Sequence, residues 1–399
     1  MIAMTRRLLL PVFVCLAFVG CGPTPPPSPD AGTDAGLSPV PGDDAGVPDA
    51  GMTPCRRYQE RLDGVCVAVT VTGIETRALS FTRDGYTLHG TLTLPVTEGE
   101  YLPPVFVLAH GSGPSDRDET ATGSLGIGYG QAIPTFKLLA EGLTQAGAAV
   151  YRYDKRTCFR ENSDGRCPTS IDDYPGDLAD ILVDDFILDF RAAVRAVAAL
   201  PEVDGEDITV VGHSQGANFV PLLMVDEPGV IAGVQLAGGS LPIDQAVPGQ
   251  LRDLADFLEG LGAQYAQQAA ALRAEAARME ADLQQIRAGT FPDPEWEGAT
   301  VEFWRNWMAR TDNLEAEFLA VEAPILLLGG TMDFNVAPHH LQRFEGWATA
   351  AGKDNAAFVL LPDVTHGFVT VINGGTAIDP RFSPAGLEAI IDWHQGLSP

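Results

Sequence analysis

Residues 209–219 read TVVGHSQGANF, which sets a serine between two glycines at the end of an apolar run. Gly212-His213-Ser214-Gln215-Gly216 fits G-x-S-x-G, with the apolar ITVV before it and the helical ANFVPLLMV after it. Strand, sharp turn and helix is the context in which such a serine is held on a strained backbone with its Oγ clear of the sheet edge. Small residues at both glycine positions let the turn close tightly. A bare G-x-S-x-G arises often by chance, so the surroundings decide between a nucleophile and an ordinary glycine turn.

Working outward, the chain from residue 77 alternates strand-like and helical runs. RALSFTR (77–83) and TLHGTLTLP (87–95) are joined at Asp84-Gly85, a short-turn signal that predicts a hairpin. VFVLAH (105–110), AAVYRYD (148–154), DITVVGH (207–213), IAGVQLAG (231–238), PILLLGG (324–330) and AFVLLPD (357–363) are nearly continuous apolar runs. Such strands are buried on both faces of a parallel sheet. Amphipathic segments at 132–146, 179–200, 215–225, 338–350 and 384–396 lie between or after them. The pattern predicts an α/β fold, a doubly wound and mostly parallel eight-stranded sheet.

A serine hydroxyl needs a base and an orienting acid, here later in the chain in the order Ser, acid, His. GGTMDF puts Asp333 just past the seventh strand, and LLPDVTHGF puts His366 past the eighth. Of the seven histidines, only His366 occupies a post-strand loop after the acid. Asp363 and Asp244 are the fallback acids. The oxyanion requires two backbone donors. The Gln215 N–H follows the nucleophile, and the loop HGSGPSDRDET after the third strand offers the N–H of Ser112, with Gly111 or Gly113 as alternatives. Asp116, Arg117 and Asp118 are expected to hold that loop by ion pairs, a more economical role for Arg117 than gripping a substrate carboxylate.

The set DGYTLHGTLTLP, LAHGSGPSDRDE, VYRYDKR, GHSQG, GGTMDF and THGF resembles the α/β-hydrolase superfamily, and within it the bacterial dienelactone-hydrolase-like carboxylesterases that carry a helical cap. The resemblance covers residues 77–398. It implies serine carboxylesterase or related acyl-hydrolase activity on a small-molecule ester, without metal or organic cofactor. It also implies Ser214 as nucleophile, Asp333 as acid, His366 as base, and Ser112 and Gln215 at the oxyanion hole. A peptidase, thioesterase or dienelactone hydrolase would use the same triad. A catalytically silent binding lipoprotein on the same fold is the reading from another class. The chain departs from the family after YDKR, where TCFRENSDGRCPTS intervenes.

Residues 241–321 are too long for one crossover. LRDLADFLEGLGAQYAQQAAALRAEAARMEADLQQIRAG (251–289) is almost all strong helix formers, with an apolar stripe at Leu251, Leu254, Phe257, Leu258 and Leu261. This insertion is read as a helical cap over the site rather than a bare surface element. The core is then 77–240 and 322–399.

The N-terminus carries an address. Arg6 and Arg7 precede an apolar stretch at 8–19, too short to span a bilayer comfortably, so residues 1–20 read as an export signal. AFVGC, ending at Cys21, resembles the lipobox of bacterial lipoproteins, with Phe18 where leucine is usual. It implies lipidation of Cys21 and anchoring in the cell envelope, in the outer membrane of a Gram-negative bacterium, periplasmic or surface-exposed. Residues 21–54, rich in Pro, Gly, Ala and Asp, read as a disordered tether, and 55–76 as a small cysteine-containing lead-in. Beyond Cys15 and Cys21 remain Cys55, Cys66, Cys158 and Cys167, for which the local pairing 55–66 and 158–167 is the simplest of three. The net charge of −28 opposes general affinity for nucleic acid or anionic lipid heads and favours small neutral or apolar ligands.

Overall fold

A computed structural model describes residues 55, 57–122, 132–158, 180–373 and 377–397. The main sheet is built from β1 (Val71–Arg83), β2 (Tyr86–Thr97), β3 (Pro104–Ala109), β4 (Ala149–Tyr153), β5 (Asp204–His213), β6 (Val230–Leu236), β7 (Ile325–Gly330) and β8 (Ala356–Leu361). Their spatial order is β1-β2-β4-β3-β5-β6-β7-β8. Pairing is antiparallel from β1 to β4 and parallel from β4 to β8. This is the doubly wound, mostly parallel eight-stranded sheet that the alternation of strands and helices predicted.

The apolar runs became central strands because both of their faces are covered. On β3, Val105, Val107 and Ala109 join one core cluster while Phe106 and Leu108 join the other; on β7, Ile325 and Leu327 oppose Leu326 and Leu328. Side chains alternate across a strand, so each strand feeds two cores. The first core packs α2 (Val183–Ala198), α3 (Val220–Asp226) and α8 (Pro338–Ala351) on one side of the sheet. The second packs α1 (Thr135–Gln145) and α9 (Pro384–Gln395) on the other.

Strand β1 begins at Val71, six residues before the run RALSFTR that predicted it. The added stretch is an exposed edge, paired through its backbone from Val71↔Thr97 to Thr76↔Thr93, and none of its side chains is buried. The lead-in forms a hairpin, Gln59–Leu62 with Val65–Ala68, closed by the Cys55–Cys66 disulfide. Cys158 is also disulfide-bonded, while Cys167 lies outside the described residues, as do Cys21, the export signal and the tether.

The insertion comprises four helices: α4 (Ile243–Leu261), α5 (Ala266–Ala288), α6 (Val301–Thr311) and α7 (Leu314–Ala320). The run of helix formers at 251–289 is divided at Gly262, whose φ of 128° suits glycine. Arg252 pairs with Glu280, and Arg273 with Asp256 and Glu259 at 2.6 and 2.5 Å, so α5 runs back antiparallel along α4. Leu251, Ala255 and Leu258 of α4 and Leu272, Ala276 and Met279 of α5 are buried between them and the core. Small alanines permit that close approach where the apolar stripe thins.

Candidate active site

The chain passes from β3 to β4 on one side and from β5 to β6 on the other, so a crevice opens beyond the carboxyl ends of the neighbouring strands β3 and β5. Ala109 is paired with Gly212 across these strands. That register carries the loop after β3 to the turn after β5, and a Cβ built on Gly111 would lie 3.2 Å from the Ser214 Cβ.

Ser214 has φ 52°, a left-handed conformation that a non-glycine residue adopts at a cost of roughly 1–3 kcal/mol. The flanking glycines let the turn close. A Cβ on Gly212 would meet the Gly216 carbonyl oxygen at 2.1 Å, and one on Gly216 would meet the Ala109 oxygen at 2.3 Å. Backbone therefore approaches backbone on both sides of the serine, and any larger residue would have to push it open.

Asp333 follows β7 and His366 follows β8, and the two are hydrogen-bonded, His366 Nδ1 to Asp333 Oδ2 at 2.8 Å. Both are nearly inaccessible, with His366 at 5% and Asp333 at 1% exposure. The other carboxylate oxygen of Asp333 accepts the N–H groups of Asn335 and Val336 at 2.9 and 2.8 Å, which fixes its plane. The fallback acids are elsewhere: Asp244 binds Arg287 at 2.7 Å, and Asp363 is exposed.

His213, the residue before Ser214, is a connector that no sequence signal singled out. Its Nε2 donates to the His366 carbonyl oxygen at 2.9 Å, and its Nδ1 lies 3.0 Å from Glu119 Oε1. Burial pushes the imidazole pKa down, but the charge and hydrogen bonding of Glu119, the His366 carbonyl and the Asp333 charge together outweigh it and the net shift is upward. Glu119 is likewise held below the usual carboxylate range, because His213, His110 and the Gly111 N–H together overcome the effect of burial. Glu119 Oε1 also accepts the Gly111 N–H at 2.6 Å. That bond occupies Gly111, so of the three candidate donors on this loop Ser112 and Gly113 remain.

The loop is otherwise held by the ion pairs expected of it. Arg117 grips Asp154 with 2.6 and 3.1 Å bonds, and Asp118 accepts from Arg152 at 2.8 Å. Asp116 instead closes its own turn, accepting from the Thr120 N–H and hydroxyl at 2.9 and 3.0 Å.

Ser112, Ser214 and Gln215 open onto a cavity of about 130 Å³. Its apolar walls come from Ile181 and Phe186 of the core, Ile243 and Val247 of α4, and Trp304 and Trp307 of α6. The two tryptophans stack at 5.4 Å, and the Trp304 N–H donates to the Trp296 carbonyl at 2.9 Å. No lysine or arginine lines the cavity among the described residues. Its histidine, His340, is pushed down to about 4 by burial, and its Nδ1 accepts the Ser240 N–H at 3.0 Å. No group of three or more His, Cys, Asp or Glu among the described residues is placed to hold a metal ion.

Residues 106–372, about two thirds of the chain, match the Alpha/beta hydrolase family. The chain belongs to that family. This hydrolase is also similar to Esterase EstD of Thermotoga maritima, 28% identical over 295 residues that make up 73% of this chain and 60% of that protein. It therefore spans less than two thirds of the length of the curated relative it matches. Among solved structures it resembles Est1E from Butyrivibrio proteoclasticus at 16% identity, covering 80% of this chain and 96% of that one, with a TM-score of 0.45. Against the acylaminoacyl peptidase of Pyrococcus horikoshii the identity is 16%, the coverage 82% and 42%, and the TM-score 0.48.

Proposed function

We propose that this hydrolase is an exported serine carboxylesterase in which Ser214, His366 and Asp333 act as nucleophile, base and acid. The observation that carries the reading is the buried His366–Asp333 hydrogen bond of 2.8 Å. The His366 carbonyl oxygen in turn accepts from His213, the residue before a serine held at positive φ. Asp333 accepts from Nδ1, which leaves Nε2 of His366 to take the serine proton. Ser214 then attacks the ester carbonyl, the N–H groups of Ser112 and Gln215 hold the oxyanion, and the protonated His366 returns its proton to the leaving alcohol. Water, deprotonated by the same imidazole, releases the acyl group.

The cavity supports an uncharged ester. It has apolar and aromatic walls and no cation among the described residues, which disfavours the carboxylate of a dienelactone. An apolar space of roughly 150 Å³ accommodates one benzene ring, so a short acyl chain or a single ring fits here. The name of the Thermotoga relative agrees with ester cleavage. The family supports the same class of chemistry while leaving the acyl group open.

Export and anchoring through Cys21 belong to the same proposal. The Cys55–Cys66 disulfide supports an oxidising compartment. Cys21→Ala is expected to move the protein from the membrane fraction to the soluble envelope fraction. Unchanged membrane retention would remove the anchor from the proposal. For the activity, Ser214→Ala should lower p-nitrophenyl acetate hydrolysis by several orders of magnitude and abolish labelling by a fluorophosphonate probe. Parent-like hydrolysis by that variant would refute the triad.

A further inference from the structure

The motif YDKR, at 153–156, places three charged side chains side by side, and the fold sends them to three different partners. Asp154 holds Arg117, Arg156 binds Asp189 at 2.8 and 2.6 Å, and Lys155 turns inward. The Lys155 side chain is buried, and its ammonium donates to the Gly111 carbonyl oxygen at 2.7 Å and to Gln215 Oε1 at 2.9 Å. It also sits 4.2 Å above the centre of the Phe186 ring. An ammonium has three donors and no acceptor, and these three contacts use them.

Burying a cation against neutral partners is costly, and stability alone does not account for it. Burial pushes this ammonium down to about 7, with Glu119 acting in the opposite direction. The location supplies the account. The Gly111 carbonyl and the Ser112 N–H belong to one peptide group, which is trans and planar, so they point in opposite directions. Holding the oxygen on Lys155 therefore turns the Ser112 N–H away from Lys155. The Gly111 N–H is anchored separately by Glu119, so the glycine is clamped on both sides. Gln215, whose backbone N–H is the other donor, is pinned through its side chain by the same ammonium.

We propose that Lys155 is a positioning residue for the oxyanion hole, one ammonium fixing both the Ser112 and the Gln215 donors and polarising the Gly111–Ser112 peptide toward the developing negative charge. This rests on the esterase reading above. The effect falls on the transition state, because the carbonyl becomes an oxyanion only there. Removing a donor outright costs roughly 10²–10³ in kcat, and a displaced donor costs less.

The test compares the full chain with Lys155→Met and Lys155→Gln, using p-nitrophenyl butyrate and a trifluoromethyl ketone that forms a tetrahedral oxyanion adduct. Rates are normalised to the fraction titrated by a fluorophosphonate. Lys155→Met should lose roughly ten- to a hundredfold in kcat with KM within about threefold, and its ketone affinity should weaken in step with kcat/KM. Lys155→Gln, which retains a neutral NH2 donor group, should fall between it and the parent, and it carries the test if the methionine variant does not fold. Parent-like kcat per titrated site, or a lower kcat with unchanged ketone affinity, would overturn the proposal. A parent that neither labels nor hydrolyses esters would instead remove the esterase reading on which it stands.

Discussion

Replacing Asp333 by asparagine tests the arrangement of the site with almost no change in shape. The carboxylate has two distinct jobs: Oδ1 accepts two backbone N–H groups, from Asn335 and Val336, and Oδ2 accepts the His366 Nδ1–H. An asparagine can put its oxygen on only one side. Facing the NH2 toward the two backbone donors would leave both unsatisfied in a buried site, at about 1–3 kcal/mol each. The amide oxygen is therefore expected to stay with Asn335 and Val336, and the NH2 to face His366. The imidazole nitrogen nearest it must then accept, so its proton moves to Nε2, the nitrogen needed as a base. Loss of the working tautomer in such a triad costs about 10⁴ in kcat, equivalent to about 5 kcal/mol in the barrier. The assay is kcat for p-nitrophenyl butyrate at pH 8, with near-UV circular dichroism to verify that the variant packs like the parent. A well-folded Asp333→Asn protein within tenfold of the parent would refute the reasoning, because it would show that His366 does not depend on Asp333 for its proton placement.

Two further outcomes follow from packing and charge. Trp304→Ala removes a buried indole from the wall between the helical insertion and the core, and should cost about 3–5 kcal/mol in urea unfolding while raising KM more than it lowers kcat; a loss under about 1 kcal/mol would show that the insertion does not depend on this packing. Burial holds His110 and His340 down to about 4 and His394 to about 3, against about 6.5 in an unfolded chain. The unfolded state thus takes up protons first, so stability is full above about pH 6.5 and is lost as the pH falls toward about 4. His213, shifted upward, opposes this as one group against three. The melting temperature should therefore decline steadily across that window, and a flat profile over it would contradict the burial of these rings.

Much of the fold was legible because its signals are local. Continuous apolar runs such as VFVLA and ILLLGG have to be covered on both faces, and a chain that alternates them with amphipathic helices has few ways to do so. The edge strand was harder to see. Its extension to Val71 is held by backbone pairing, and side chains of which none is buried leave no pattern to read. Glycine signals worked where backbone approaches backbone, at Gly212 and Gly216, whereas the break at Gly262 that divides one helix-forming run into the α4–α5 pair emerged only from the structure.

The sequence by itself determined the alternation of elements, the serine at the strand-to-helix turn, and an acid and a histidine in order after the seventh and eighth strands. Those features are periodicities and short motifs, written within a few residues of one another. Tertiary structure alone decided which groups meet. It joined Asp333 to His366, set Gly111 between Glu119 and Lys155, ran His213 from Glu119 to the His366 backbone, and walled the cavity with Trp304 and Trp307. These pairings depend on strand order and register, and the placing of Gly111 beside Ser214 follows from the pairing of Ala109 with Gly212 across two strands that are about a hundred residues apart in the chain. No local pattern encodes a contact of that kind, because its energy arises only once the sheet has assembled.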